Sequence, residues 1–159
     1  MIILGIDPGY DRCGFALLSK NISTSEFEVL DFGVITTNKN DIFQDRLCDL
    51  GNDISDIINK YSPTILAIEK MFWGANVNNA IRVAEARGVI EFLCRKSGCE
   101  IVEYAPTEIK SKLVGHGRAE KFQVQNVLQM RLGLQNIPQP DDAADALAIA
   151  LLASEEMQN

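Results

Sequence analysis

The chain has 159 residues, 47% of them hydrophobic, and a formal net charge of −7. Length and composition predict one globular domain over residues 1–159 with one core, and the acidic balance argues against a broadly basic surface for nucleic acid. The longest apolar run, Ala146–Ala153, is shorter than the roughly 20 residues that span a bilayer, and no basic segment precedes the first apolar residues, so the sequence predicts a cytoplasmic protein.

Three apolar runs open the chain and are joined by short polar turns. They cover Ile2–Asp7, Cys13–Ser19 and Phe27–Thr36, and the Pro8-Gly9 pair marks the first turn. Runs of this length, rich in β-branched and aromatic residues, predict three antiparallel strands.

Helical periodicity then alternates with short apolar runs. Helices are predicted at residues 41–60, 77–97, 107–114, 119–132 and 141–155, and strands at 64–69 and 100–104. This order predicts an α/β fold with a five-stranded mixed sheet and helices on both faces. In open sheets of this kind, functional sites form at the carboxyl ends of parallel strands.

Two acids stand at such strand ends. Asp7 closes the first predicted strand and Glu69 closes the fourth. A carboxylate at the end of a buried strand is costly unless it is solvated, paired or bound to a metal. Each acid also has an ordinary structural explanation, because Asp7 precedes a Pro-Gly turn and Glu69 precedes a loop.

Two further acids, Asp142 and Asp145, lie three residues apart at the start of the last helix and therefore share a face. Aspartates in a first helical turn often cap exposed N–H groups, which explains Asp142 better than Asp145. The two alanines between them would let the helix lie close to the sheet. The sequence therefore predicts that both acids approach the acids at the strand ends.

Four converging carboxylates repel one another, and hard divalent cations such as Mg²⁺ relieve that repulsion. Two such ions about 4 Å apart can activate a water and stabilise the leaving oxygen of a phosphodiester. The chain has one histidine, His116, and no Ser-His-Asp set, so metal chemistry is the economical hypothesis. The four cysteines form no Cys-x-x-Cys pair, which favours free thiols.

Charge is unevenly distributed along the chain. Residues 82–131 hold nine lysines and arginines against six acids, although the whole chain is acidic. A phosphate-binding face in this segment is physically reasonable, because local potential steers a polyanion. From charge alone, solvated helix faces are the preferred explanation.

Several motifs resemble those of the RuvC Holliday-junction resolvases, and the match runs almost end to end with the spacing intact. The motifs are Gly5–Gly9, Ala67–Glu69, Ala86–Gly88 and Asp142–Ala148, and residues 114–121 are similar to that family's basic segment. The resemblance implies a ribonuclease-H-like fold, a homodimer, a branch-migration helicase complex as partner, and a magnesium-dependent crossover junction endodeoxyribonuclease of DNA recombination and repair. Such an enzyme would cut two opposed strands of a four-way junction and leave 5′-phosphate and 3′-hydroxyl ends.

The resemblance also implies roles for individual residues. The family's catalytic metal-binding positions, with two Mg²⁺ ions per subunit that Mn²⁺ can replace, fall on Asp7, Glu69, Asp142 and Asp145. Lys110 and Lys121 fall on basic positions that would bind phosphate, and Arg118 is a further DNA-binding candidate in the same basic segment. Phe72 falls on the position of an aromatic that stacks on an unpaired base.

Other side chains keep two explanations. Phe72 and Trp73 follow Glu69 in a polar loop and could stack on splayed bases, worth about 1–3 kcal/mol each, although Trp73 could equally fill the core or a dimer interface. Asp141 is interpreted as a helix cap. His116, between two glycines, is interpreted as having no direct role.

A two-fold dimer would present two sites to the opposed strands of a two-fold symmetric junction. The helix at 77–97 is a candidate interface, although the same stripe could instead face the sheet. The stripe consists of Ile81, Ala84, Gly88 and Phe92.

The chain departs from the family's often basic members in its sequence pI of about 4.7, which predicts weak, salt-sensitive binding of DNA. Two other functions stay open: a junction-binding protein without activity, and a phosphate-binding ATPase-like domain of the actin, chaperone and sugar-kinase core. The presence of all four acids argues against the first. The short chain, without a second glycine-rich phosphate turn, argues against the second.

Overall fold

The computed structural model describes residues 1–21, 23–24, 26–71 and 77–157, so Phe72 and Trp73 lie outside the described residues. The predicted elements are present with ends that differ by no more than two residues from the predicted ones. In the described part of the chain, no helix is long and apolar enough to cross a membrane. The elements are β1 Ile2–Asp7, β2 Arg12–Lys20, β3 Phe27–Thr36, α1 Phe43–Tyr61, β4 Ile65–Glu69, α2 Val77–Lys96, β5 Glu100–Tyr104, α3 Pro106–Val114, α4 Lys121–Arg131 and α5 Asp141–Glu156.

The strands form one sheet in the order β3-β2-β1-β4-β5. The pairs β1–β2 and β2–β3 are antiparallel, which confirms the predicted meander. Strand β4 runs parallel to β1, and β5 runs parallel to β4. The carboxyl ends of β1 and β4 therefore lie side by side near the middle of a mixed sheet.

Helices cover both faces of the sheet, as predicted. Helix α5, with α3 and α4, packs on one face, and α1 with α2 packs on the other. Alternate residues of a strand point to opposite faces: in β1, Ile3 belongs to the α5 face, and Leu4 and Ile6 belong to the α1 face. By the same alternation, Asp7 and Glu69 point towards α5.

The outer face of α1 concentrates acidic side chains. Leu50 and Ile54 on the inner face are buried in the core. The pKa of Asp53 is raised by partial burial and by repulsion from its two acidic neighbours on the helix. Much of the excess negative charge therefore lies on one exposed surface, formed by Asp45, Asp49, Asp53 and Asp56.

Candidate active site

Two glycines allow α5 to lie directly against the sheet. A Cβ atom added to Gly5 would stand 2.4 Å from the carbonyl oxygen of Ala146, and one added to Gly14 would stand 1.9 Å from that of Asp142. Only glycine fits where two backbones approach this closely. The first turn of α5 is thereby held beside the end of β1.

The four predicted acids come together at this point. Asp7 pairs with Gly14 in the sheet, and Gly14 touches the backbone of Asp142. Burial raises the pKa of Asp7 to about 7, and repulsion from Glu69, Asp145 and Asp142 adds to the increase. Asp7 is thus the carboxylate that interacts with each of the other three.

Glu69 and Asp145 share this environment. Burial is the main cause that raises the pKa of Glu69, followed by repulsion from Asp145, and the Lys110 ammonium opposes both. Burial also raises the pKa of Asp145, while Lys121 opposes it. A group of partly buried carboxylates that repel one another favours the binding of a cation.

The two predicted lysines stand next to these acids. Lys110 and Lys121 line a cavity of about 140 Å³ together with Glu69 and Asp145. The Nζ atom of Lys121 lies 3.3 Å from Oδ2 of Asp141 and 3.9 Å from Oδ2 of Asp145. Lys121 is exposed, so its ammonium group is accessible to a phosphate that approaches the acids.

The interpretation of Asp141 as a helix cap is wrong. The residue that precedes α5 is Pro140, and no side chain caps the helix. Asp141 is the first residue inside α5, and its carboxylate turns towards α4, where Gln125 Nε2 donates to Oδ1 at 3.1 Å. It pairs there with Lys121 and so links the start of α5 to the start of α4.

Arg118 and His116 lie on the loop between α3 and α4, and both are exposed. Among the described residues, neither belongs to the set that lines the cavity beside Glu69. Arg118 is therefore a surface cation of the basic segment, whereas the two lysines stand at the acids.

A cation that the sequence did not reveal, Arg12, contacts the acids from β2. Its Nε and Nη2 atoms both donate to Oδ2 of Asp142, at 2.9 and 2.7 Å. The partners are 130 residues apart, and no local pattern connects them. The pairing depends on the approach of α5 to β2 at Gly14.

The turn between Asp7 and Arg12 is fixed by Arg46 of α1, which is buried. The Nε atom of Arg46 donates to Oγ1 of Thr37 at 2.9 Å, and its Nη2 atom donates to the carbonyl of Tyr10 at 3.3 Å. Arg46 also forms an ion pair with Asp11. The turn that follows the first catalytic candidate is therefore anchored to the opposite face of the sheet.

The donor set fits a hard divalent cation, because carboxylate oxygens are its preferred ligands and a cation would relieve the repulsion among them. In the described part of the chain, no three acidic, histidine or cysteine side chains stand ready-made around a metal position. Two of the carboxylates instead face cations of the protein: Asp142 faces Arg12, and Asp145 faces Lys121.

Comparison with known proteins identifies the family of the chain. The family model for crossover junction endodeoxyribonuclease RuvC matches residues 3–153. The RuvC of Petrotoga mobilis is 46% identical over 150 residues, which are 94% of this chain and 91% of that protein. The structure of T. thermophilus RuvC in complex with Holliday junction substrate superposes with a TM-score of 0.91 at 28% identity, over 99% of this chain and 95% of that one.

A more distant neighbour supports the fold alone. The Fowlpox virus resolvase, in a complex with Holliday junction DNA, superposes with a TM-score of 0.67 at 17% identity, over 98% of this chain and 99% of that one. The expected ribonuclease-H-like fold is confirmed by these resolvase structures.

Proposed function

The chain belongs to the RuvC family of crossover junction endodeoxyribonucleases, and from this premise we propose that its catalytic, metal-binding residues are Asp7, Glu69, Asp142 and Asp145. The chain is a nuclease that resolves Holliday junctions, and the two alternatives raised by its sequence are not favoured. The residue assignment rests on one observation above all: the close approach of α5 to the sheet at Gly5 and Gly14 brings Asp142 and Asp145 to the strand ends that carry Asp7 and Glu69.

The proposed chemistry is hydrolysis of a phosphodiester on each of two opposed strands. The four acids would hold two magnesium ions, or manganese in their place, and the bound ions would supply an activated water and stabilise the charge on the phosphate oxygens. Attack on phosphorus with departure of the O3′ atom leaves a 5′-phosphate and a 3′-hydroxyl, which a ligase can rejoin. The four carboxylates would hold the cations, and Asp7 interacts with each of the other three.

The basic and aromatic candidates bind the DNA in this proposal. Lys110 and Lys121, beside Glu69 and Asp145, neutralise the phosphate on which the acids act, and Arg118 contributes a phosphate contact from the exposed loop. Phe72, which follows Glu69 by three residues in the sequence, stacks on a base unpaired near the junction centre.

The proposal includes a homodimer that cooperates with a branch-migration helicase complex, as expected for the family. The candidate interface stripe on α2 is exposed, with Ile81 at 45% and Phe92 at 63% of full accessibility. Ala84 and Gly88, in the same stripe, are also exposed. An exposed apolar stripe of this kind suits a two-fold contact between copies, and sedimentation velocity should show a dimer.

The test uses a labelled synthetic four-way junction with Mg²⁺. The unaltered protein should make paired, near-symmetric nicks that a ligase can seal. Asp7→Asn should still bind the junction but lose cleavage by about 10³-fold or more, because metal-ion catalysis supplies several kcal/mol of transition-state stabilisation. The matched control is Asp49→Asn on the outer face of α1, which should cut normally. Equal cutting by Asp7→Asn would refute the assignment.

A further inference from the structure

Arg12 stands on the edge of the proposed metal site without belonging to the acidic set. It begins β2, two residues before Gly14, on the side of the sheet that α5 covers. Both of its donating atoms, Nε at 2.9 Å and Nη2 at 2.7 Å, contact the same oxygen of Asp142. A charge-assisted contact with two donors directs that carboxylate towards the arginine.

This ion pair is open to solvent. The Arg12 side chain is 49% exposed and that of Asp142 is 30% exposed. Pairs this exposed contribute only about 0–1 kcal/mol. A cation of higher charge that competes for the same oxygen can therefore displace the guanidinium at little cost to the fold.

Asp142 is also one of the three carboxylates that repel Asp7. In the protein without metal, Arg12 supplies positive charge to this crowded group. A divalent ion that takes Oδ2 of Asp142 as a ligand must share that oxygen with Arg12 or replace it, and one that takes Oδ1 is repelled by the guanidinium charge beside it.

We propose that Arg12 is a displaceable counter-ion, which occupies Asp142 until a divalent cation binds and thereby lowers the affinity of the site for that cation. The inference rests on the proposed role of Asp142 as a metal ligand. Arg12 is a positioning residue here, because it acts through Asp142. Its effect is a shift in affinity: the four acids need a higher concentration of the cation than they would need without the arginine.

The experiment measures Mn²⁺ binding to the full chain without DNA, by isothermal titration calorimetry. Arg12→Gln removes the charge and should bind Mn²⁺ about fivefold more tightly. Arg12→Lys keeps a charge and should remain close to the unaltered protein. The unfolding midpoint is a second readout, and Mn²⁺ should raise it more in Arg12→Gln than in the unaltered protein.

The matched control is an ion pair between the end of α4 and the far end of α5. Arg131 pairs with Glu155 at a similar exposure, 41% and 22%, so Arg131→Gln makes the same change in net charge far from the acids. Its Mn²⁺ affinity should change by less than about twofold, because solvent screens distant surface charges. If both variants tightened binding equally, a general charge effect would replace the specific role of Arg12.

Unchanged or weaker Mn²⁺ binding by Arg12→Gln would overturn the inference and leave Arg12 as a structural clamp. If Asp142→Asn weakens binding in that case, the proposed metal site stands and only the role of Arg12 is lost. If the unaltered protein binds no Mn²⁺, the assignment of the acids and the role of Arg12 are lost together.

Discussion

The two ends of helix α5 handle charge in opposite ways. At its start, Asp142 is partly exposed and faces the exposed Arg12. At its end, Lys20 is 3% exposed and donates to the main-chain carbonyl of Ser154, with a longer contact of 3.4 Å to that of Met157. The end of α5 therefore holds a buried charge, Lys20, beside the exposed pair Arg131–Glu155, whereas the ion pair of Asp142 at its start is open to solvent.

The comparison shows that a buried charge keeps its partner as part of the fold, whereas an exposed charge can exchange its partner for a ligand. Lys20 satisfies carbonyls that the helix leaves unpaired and complements the negative end of its dipole. An unpaired buried ammonium would be very costly, so this contact is permanent. At the start of α5 the acids repel one another and their partners are solvated, so those partners can be exchanged for a ligand.

The largest expected effect is a dependence of stability on pH, caused by Asp7 beside the start of α5. Burial and repulsion favour protonated Asp7, whose pKa is about 7 in the fold against an ordinary value of 3.8. As pH rises from about 4 to about 7, the unfolded chain releases this proton and the folded chain keeps it, so stability falls with pH. The loss reaches up to about 4 kcal/mol in a chelator, and above pH 7 it is constant.

Urea unfolding in a chelator between pH 4.5 and 8 measures this loss. Asp7→Asn should flatten the decrease in the free energy of unfolding and be the more stable protein at pH 8. Adding Mg²⁺ should restore much of the stability of the unaltered protein only. An identical pH dependence for both proteins would show that the pKa of Asp7 is not raised in the fold.

The next effect concerns the position of the start of α5 relative to β2. Gly14→Ala places a methyl group against the carbonyl oxygen of Asp142, and α5 must move away from β2. A displacement of about 1 Å in a catalytic group can cost about 100-fold in rate, so junction cleavage should fall by that order. Gly51→Ala in α1 is the control, because its methyl group would meet only side-chain atoms, at 3.3 Å. Normal cleavage by Gly14→Ala would mean that the close approach is unnecessary.

The smallest expected effect is a loss of stability at the end of α5, where Lys20 is buried. Lys20→Met keeps an apolar chain of similar length but leaves the carbonyl of Ser154 without its donor. The free energy of unfolding should fall by about 2 kcal/mol, measured with urea. Mn²⁺ affinity should stay the same, because the acids lie at the other end of α5. A parallel loss of metal binding would show that the two ends are coupled.

The sequence predicts the elements of this fold well because their patterns are local. Alternation and helical periodicity in a short window place β1 and α5 within two residues of their observed ends. The acids of the site could also be predicted from the sequence, since Asp7 and Glu69 end strands and Asp145 lies one turn inside a helix. These signals need no knowledge of distant contacts.

The missed features depend on contacts between distant segments. Arg12 has no local pattern that announces Asp142 as its partner. Asp141 looks like a cap from its neighbours, but its side chain is drawn to Lys121 and Gln125 on α4. Gly14 did carry a usable signal, because a glycine inside an apolar strand often marks a close approach of another backbone.

The acidic outer face of α1 makes the two helix layers of the molecule electrostatically different. Its exposed aspartates lie on the helix layer opposite the one that carries Lys110 and Lys121. The phosphate backbone of DNA is repelled by this acidic face, so the four aspartates disfavour approach from the α1 side. Added salt should weaken this preference, because it shortens the roughly 8 Å range of the field.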